Sequence, residues 1–158
     1  MEAARVLARA RGDSIVVPHP ANERYWVQVS GAPERDFLPP QSDGEEAAFA
    51  LGLSLAKPED RLIMLDVDEA LLSNMGVLVT ISEAAPQNFV HVLFQSGVRS
   101  GKSGLPLPGG SDTGGEQLTD APGVADRRHA VFDNGSGSRC SLWPALEDGS
   151  TSHVVVLH

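Results

Sequence analysis

Apolar and polar positions fall into blocks along the chain, and the blocks are of two kinds. Short runs that are apolar almost throughout occur at Ser14-Ile15-Val16-Val17, at Leu62-Ile63-Met64-Leu65 and at Phe89-Val90-His91-Val92-Leu93-Phe94. Runs of this length without polar alternation predict strands buried on both faces, as in a parallel sheet. The segments between them carry helical spacing. Residues 2–11 predict an Ala/Arg-rich amphipathic helix with Val6 and Leu7 turned inward, stopped by Gly12. Pro18-His19-Pro20 cannot continue the first strand, because proline lacks a donor and fixes φ. Residues 22–29 predict a short helix carrying Tyr25 and Trp26, and residues 31–40 a loop whose Phe37 and Leu38 dip into the core.

Residues 45–55 predict a helix with Ala47, Ala48, Leu51 and Leu55 as its inner stripe and Asp43 as its candidate cap. Gly52 within it suggests close packing. Residues 57–60 form a turn, and residues 70–84 the next helix, ended by Pro86-Gln87-Asn88. After the strand at 89–94 comes a long glycine-rich stretch, 95–115, of a length that is usually functional in a compact domain. A poor helix at 116–121, a strand at 130–132, a flexible turn at 134–138, a helical turn at 142–146 broken by Pro144 and a last strand at 154–157 complete the chain. Strands alternating with helices predict one α/β domain: a doubly wound parallel sheet with helices on both faces and right-handed crossovers.

The stretch from Arg61 to Gly76 organises the rest. Its apolar run closes on Asp66-Val67-Asp68-Glu69 and feeds a helix at once. In open α/β sheets the ligand crevice lies at the carboxyl ends of the strands. Asp68 would project there beside the positive end of the following helix. A carboxylate so placed can hold a hard cation, and the helix start can hold phosphates that the cation bridges. The plainer reading is that Asp66 and Asp68 only start the helix, since acidic residues favour a first turn.

Composition narrows the partners. The chain has 158 residues, 41% hydrophobic and 21% charged, with a net charge of −9. That is an ordinary globular composition with room for one core. Its acidity argues against nucleic acid or an anionic membrane as a partner. No apolar run is long enough to span a bilayer, and no signal-peptide pattern opens the chain. The single cysteine, Cys140, excludes an intrachain disulfide and a multi-cysteine zinc site. A cytoplasmic location is the expectation.

Candidate chemistry is sparse. His19, His91, His129, His153 and His158 have no metal-ligand spacing, and His91 reads as a core or sheet-surface histidine. Gly101-Lys102-Ser103 matches the end of a phosphate loop, but Gly97 does not open the Gly-x-x-x-x-Gly-Lys-Ser spacing. Pro106 and Pro108 follow where a helix is needed. Arg99 and Lys102 are either solvated loop residues or contacts for an anionic ligand. No Gly-x-Ser-x-Gly elbow is present, and Cys140 has no obvious base, so the chain carries no self-contained catalytic machinery.

Residues 60–76, with their Leu-Asp-Val-Asp-Glu-Ala core, resemble the diphosphate-binding stretch of thiamine diphosphate-dependent enzymes. The resemblance is nearest to the sulfopyruvate decarboxylase β-chain and phosphonopyruvate decarboxylase. It continues through the helix, the Ala85-Pro86-Gln87-Asn88 turn and the strand to Leu93. It takes in Leu51-Gly52-Leu53-Ser54-Leu55-Ala56-Lys57-Pro58 before the central strand and Leu105-Pro106-Leu107-Pro108-Gly109 after it, and weakens after about Ser111. The resemblance implies that residues 1–158 form a single diphosphate-binding domain. It also implies a cytoplasmic, oligomeric lyase subunit that uses Mg²⁺ and thiamine diphosphate. The pyrimidine-binding domain that activates the cofactor would come from a partner subunit, since 158 residues leave no room for it.

The resemblance also assigns positions. The family's Gly-Asp-Gly turn falls on Val67-Asp68-Glu69, its metal-binding Asn on Ser96, and its metal-binding carbonyl near Val98. Asp68, Ser96 and Val98 are thus the implied metal positions. Gly44, Asp68, Glu69, Ala70 and Gly97 are the implied cofactor positions. The Gly-x-Met-Gly support of the cofactor reads Gln41-Ser42-Asp43-Gly44, so only Gly44 matches. The departures oppose cofactor binding. Glu69 sets a carboxylate beside a diphosphate, at a cost of about 3 kcal/mol for charges roughly 5 Å apart at an effective dielectric near 20. Val67 adds a Cβ where backbone should approach closely. Ser96 is a weaker ligand than a carboxamide, and Asp43 adds a further anion. Two functions follow: a β-type subunit of a heteromeric decarboxylase or carboligase, or a non-catalytic relative that partners a pyrimidine-domain chain.

Overall fold

A computed structural model describes residues 2–39, 44–94, 107, 131–132 and 153–157. Among these residues five strands form one parallel sheet: β1 (Ile15–Pro18), β2 (Leu62–Val67), β3 (Phe89–Phe94), β4 (Val131–Phe132) and β5 (His153–Leu157). Their order across the sheet is β1-β2-β3-β5-β4. The chain therefore steps outward from β1 to β3, passes over one position to the edge, and returns to fill it. β3, not β2, is the middle strand. The helices are α1 (Glu2–Ala10), α2 (Pro20–Trp26), α3 (Glu46–Ala56), α4 (Asp68–Ser73) and α5 (Gly76–Ala84), with a short 3₁₀ turn at Pro33–Arg35.

The apolar runs become strands because helices cover the sheet on both sides. All six residues of β2 are buried, as are the first five of β3. On one face Val16, Ile63, Leu65, Val90 and Val92 pack with Ala4, Leu7 and Trp26 of α1 and α2. On the other, Val17, Leu62, Met64, Phe89 and Leu93 pack with residues of α3, α4 and α5, among them Leu51, Leu71 and Ile81. Each large side chain so buried contributes roughly 1.5–3 kcal/mol. Alternation within β1, β2 and β3 thus sends successive residues to two cores.

Several expectations need correction. Phe37 and Leu38 do not dip into the core. They are 43% and 45% exposed, and Phe37 stacks on Phe49 of α3 at a centroid distance of 5.0 Å. The inner stripe of α3 is Ala47, Ala50, Leu51 and Ser54, whereas Ala48 and Leu55 face outward. The true spacing of three and four carries the stripe past those two positions. The hydroxyl of Ser54 is accommodated by donating to the Leu51 carbonyl at 2.8 Å. Gly52 is exposed, and a Cβ there would meet nothing within 4 Å, so it marks no close packing. Pro18 is the last residue of β1 rather than its breaker. The helix expected at 70–84 is two helices, parted at Asn74 and Met75. Asn74 leaves helical geometry at φ −142° and ψ 59°. Apart from Leu107, which is buried, the expected elements at 95–115, 116–121, 134–138 and 142–146 lie outside the described residues, as does Cys140. The cap position of α3 falls on Glu45 rather than Asp43, with no side-chain hydrogen bond.

The amino end of the sheet is fastened by polar side chains. Asn88, the last residue of the Ala-Pro-x-Asn turn, donates its amide to the carbonyls of Ser54, Lys57 and Asp60 at 2.8–3.0 Å. Arg11, almost wholly buried, binds Asp36 Oδ1 and Ser30 Oγ, both at 2.6 Å, and the Ser14 carbonyl at 2.9 Å. The opposite, carboxyl end is where open α/β sheets place a ligand.

Candidate functional site

The carboxyl ends of β1 and β2 bring together residues distant in sequence. β2 ends at Val67, and Asp68 opens α4 with only 4% of its surface exposed. Asp68 Oδ1 accepts the N–H of Glu69 at 3.0 Å. Gly44 lies against the same turn. Its φ is +84°, and a Cβ there would stand 2.9 Å from the Ala70 carbonyl oxygen, so only glycine fits. Asn74 Nδ2 donates to the Gly44 carbonyl at 3.1 Å and fastens that segment to the end of α4. Four positions singled out from sequence, Gly44, Asp68, Glu69 and Ala70, are thereby joined in one place.

The remaining positions, Ser96, Gly97 and Val98, lie outside the described residues, with Asp43, Arg99 and Lys102. β3 runs beside β2 in register, Val67 opposite Phe94, so β3 ends at the same end of the sheet as Asp68. Among the described residues no three His, Cys, Asp or Glu side chains converge to hold a metal ion.

Sequence reasoning passed over other residues here. His19 follows β1 as Asp68 follows β2. Its N–H donates to the Leu65 carbonyl at 2.7 Å, its Nδ1 accepts from the Ala21 N–H at 3.1 Å, and its Nε2 stands 3.9 Å from Glu46 Oε2. Glu46 is buried at the start of α3. Asn22 donates to the carbonyls of Asp66 and Leu65 at 3.2 and 3.4 Å. Asp66, which read as a helix starter, lies in β2 itself. Its Oδ2 is 2.9 Å from His91 Nε2, and its Oδ1 accepts the Val67 N–H at 2.8 Å. The rule that found Asp68, a polar residue directly after an apolar run, would also have found His19.

The donor set can be tested against a metal-bridged diphosphate. Asp68 suits a hard cation, and the Gly44 turn keeps the close backbone packing such a site needs. The diphosphate half does not fit. Glu69, half-buried in the first turn, presents negative charge, and its N–H already serves Asp68. Val67 is buried with a side chain where open backbone is required.

No family model matches the chain. Over 105 residues, 66% of its length, it is 30% identical to sulfopyruvate decarboxylase subunit beta of Methanocaldococcus jannaschii, covering 54% of that protein. It is 35% identical over 77 residues, 49% of its length, to the subunit of the same name from Methanothermobacter thermautotrophicus, covering 40% of it. It is 27% identical over 100 residues, 63% of its length, to phosphonopyruvate decarboxylase of Streptomyces viridochromogenes, covering 25%. The chain thus spans about half or less of the length of these relatives. In three dimensions it matches an X-ray structure from Mycobacterium smegmatis assigned as a thiamin diphosphate-dependent enzyme. The TM-score is 0.72 at 18% identity, over 98% of this chain and 30% of that one. The chain is therefore a homologue of the sulfopyruvate decarboxylase β subunits and phosphonopyruvate decarboxylase, built on the fold of the thiamine diphosphate-dependent enzymes.

Proposed function

We propose that the chain is a single diphosphate-type domain that works as the β-type subunit of a heteromeric thiamine diphosphate-dependent 2-oxo acid decarboxylase or carboligase. In this reading it pairs with a pyrimidine-domain chain and is inactive alone. The observation that carries it is the buried carboxylate of Asp68 at the carboxyl end of β2, set against the Gly44 turn that admits only glycine. Homology to proteins named as β subunits supports the assembly. Asp68 would hold Mg²⁺ together with groups from the segment around Ser96 and Val98. No catalytic step is assigned to residues of this chain, because the described residues do not fit the diphosphate.

A second reading has its own observation. Val67 and Glu69 carry side chains at the positions that the resemblance gives to the family's two glycines, and the Glu69 N–H is already engaged by Asp68. They favour a non-catalytic subunit that keeps the fold and the interface but binds cofactor weakly. Both readings require a partner. Co-expression with pyrimidine-domain chains of the same genome, followed by light scattering, tests this. The expected result is a stable hetero-oligomer. A monodisperse monomer with no affinity for any such chain contradicts both readings.

A further inference from the structure

Asp66 and His91 form a buried polar pair within strands β1 to β3, whose other side chains are apolar. His91 has no exposed surface, and Asp66 only 2%. Asp66 stands opposite Leu93, and His91 opposite Met64, so the two meet diagonally on the face that carries α3, α4 and α5. Phe89, two residues before His91, meets the imidazole edge-on at 6.0 Å. The imidazole donates through Nε2 to Asp66 Oδ2 at 2.9 Å, and Nδ1 has no partner among the described residues. A ring with its N–H on Nε2 strands no buried donor, so the geometry selects that tautomer.

The other carboxylate oxygen shows what the pair does. The carbonyls of Arg61 and Leu65 accept from Ile15 of β1 and from His19 just after it. Odd-numbered residues of β2 therefore turn their backbone groups toward β1. β1 is paired only as far as Leu65, so the Val67 N–H meets no strand on that side. Asp66 Oδ1 takes it at 2.8 Å, and the next residue is Asp68. Replacing a strand bond by a side-chain bond at the point where β2 turns into α4 fixes the direction in which Asp68 leaves the sheet.

We infer that Asp66 and His91 are positioning residues: His91 orients the Asp66 carboxylate, Asp66 pins the Val67 amide, and together they set Asp68 at the site. This rests on reading Asp68 as the metal carboxylate. Two measurements on the full chain separate the claims. Amide hydrogen exchange is followed in the wild type, in His91→Phe, which keeps a ring but loses the donor, and in His91→Gln, which keeps a donor. Exchange at Val67 is expected to be at least tenfold faster in His91→Phe, with Ile63 unchanged, and within threefold of wild type in His91→Gln. If His91→Phe does not fold, His91→Leu carries the same expectation. Val67 exchange that is unchanged, or that rises only in step with Ile63, overturns the inference. Calorimetric titration with Mg²⁺ alone is the second measurement. His91→Phe should weaken affinity at least fivefold, and Asp68→Asn should remove it. If the wild type takes up no Mg²⁺, the reading of Asp68 fails, while the exchange result still decides whether the pair pins the turn.

Discussion

Gly44 packs its backbone against Ala70 so closely that a Cβ would stand 2.9 Å from the Ala70 carbonyl oxygen. The contact joins the segment before α3 to the first turn after β2, and Asn74 secures it with a hydrogen bond to the Gly44 carbonyl. Gly44→Ala should cost roughly 1–3 kcal/mol, since an L-residue is forced to φ +84° against a backbone atom that cannot retreat. Asn74→Ala should cost about 1 kcal/mol from the lost bond. Urea unfolding checks both. A Gly44→Ala protein as stable as wild type would mean that this turn is not packed as described.

Gly52 is the opposite case. It lies exposed inside α3 with nothing within 4 Å of a built Cβ. Gly52→Ala should stabilise the chain by about 0.5–1 kcal/mol, by limiting the unfolded chain and favouring the helix. Thermal unfolding should show a raised midpoint. A lowered midpoint would point to a partner surface, or a segment outside the described residues, pressed against this face.

Arg11 anchors the amino end. Its guanidinium and the Asp36 carboxylate are both almost wholly buried, 2.6 Å apart. Arg11→Met leaves that carboxylate uncompensated and should cost about 3–5 kcal/mol. Adding Asp36→Leu removes the stranded charge and should recover part of the loss. Chemical denaturation of the single and double variants measures the coupling, and simple additivity would contradict the pair's role.

The sheet was legible because its strands announce themselves. Leu62–Val67 and Phe89–Phe94 are apolar runs bounded by turns, and no helix stripe competes with them. Asp68 was legible because it ends such a run. The helix after it was misread, because Asn74 leaves the helix to hold a glycine thirty residues earlier, a tertiary demand that local spacing does not encode. Phe37 and Leu38 were misplaced for a similar reason: Phe37 is apolar but spends its ring on Phe49 at the surface. The Asp66–His91 pair was hidden because each residue looked ordinary alone. Its meaning appears only when β2 and β3 lie side by side.

The central claim is that this site keeps a metal carboxylate but has lost much of its hold on diphosphate. The direct measurement is calorimetric titration of Mg²⁺–thiamine diphosphate into the chain with its pyrimidine-domain partner. Beside it stands a variant carrying Val67→Gly, Glu69→Gly, Ser96→Asn and Asp43→Met. The account predicts that the unmodified complex binds at least tenfold more weakly than the variant, on the order of 1.4 kcal/mol. Equal affinities would contradict it. So would tight binding by the unmodified complex with turnover of a 2-oxo acid, which would place Glu69 on the metal rather than against the phosphates.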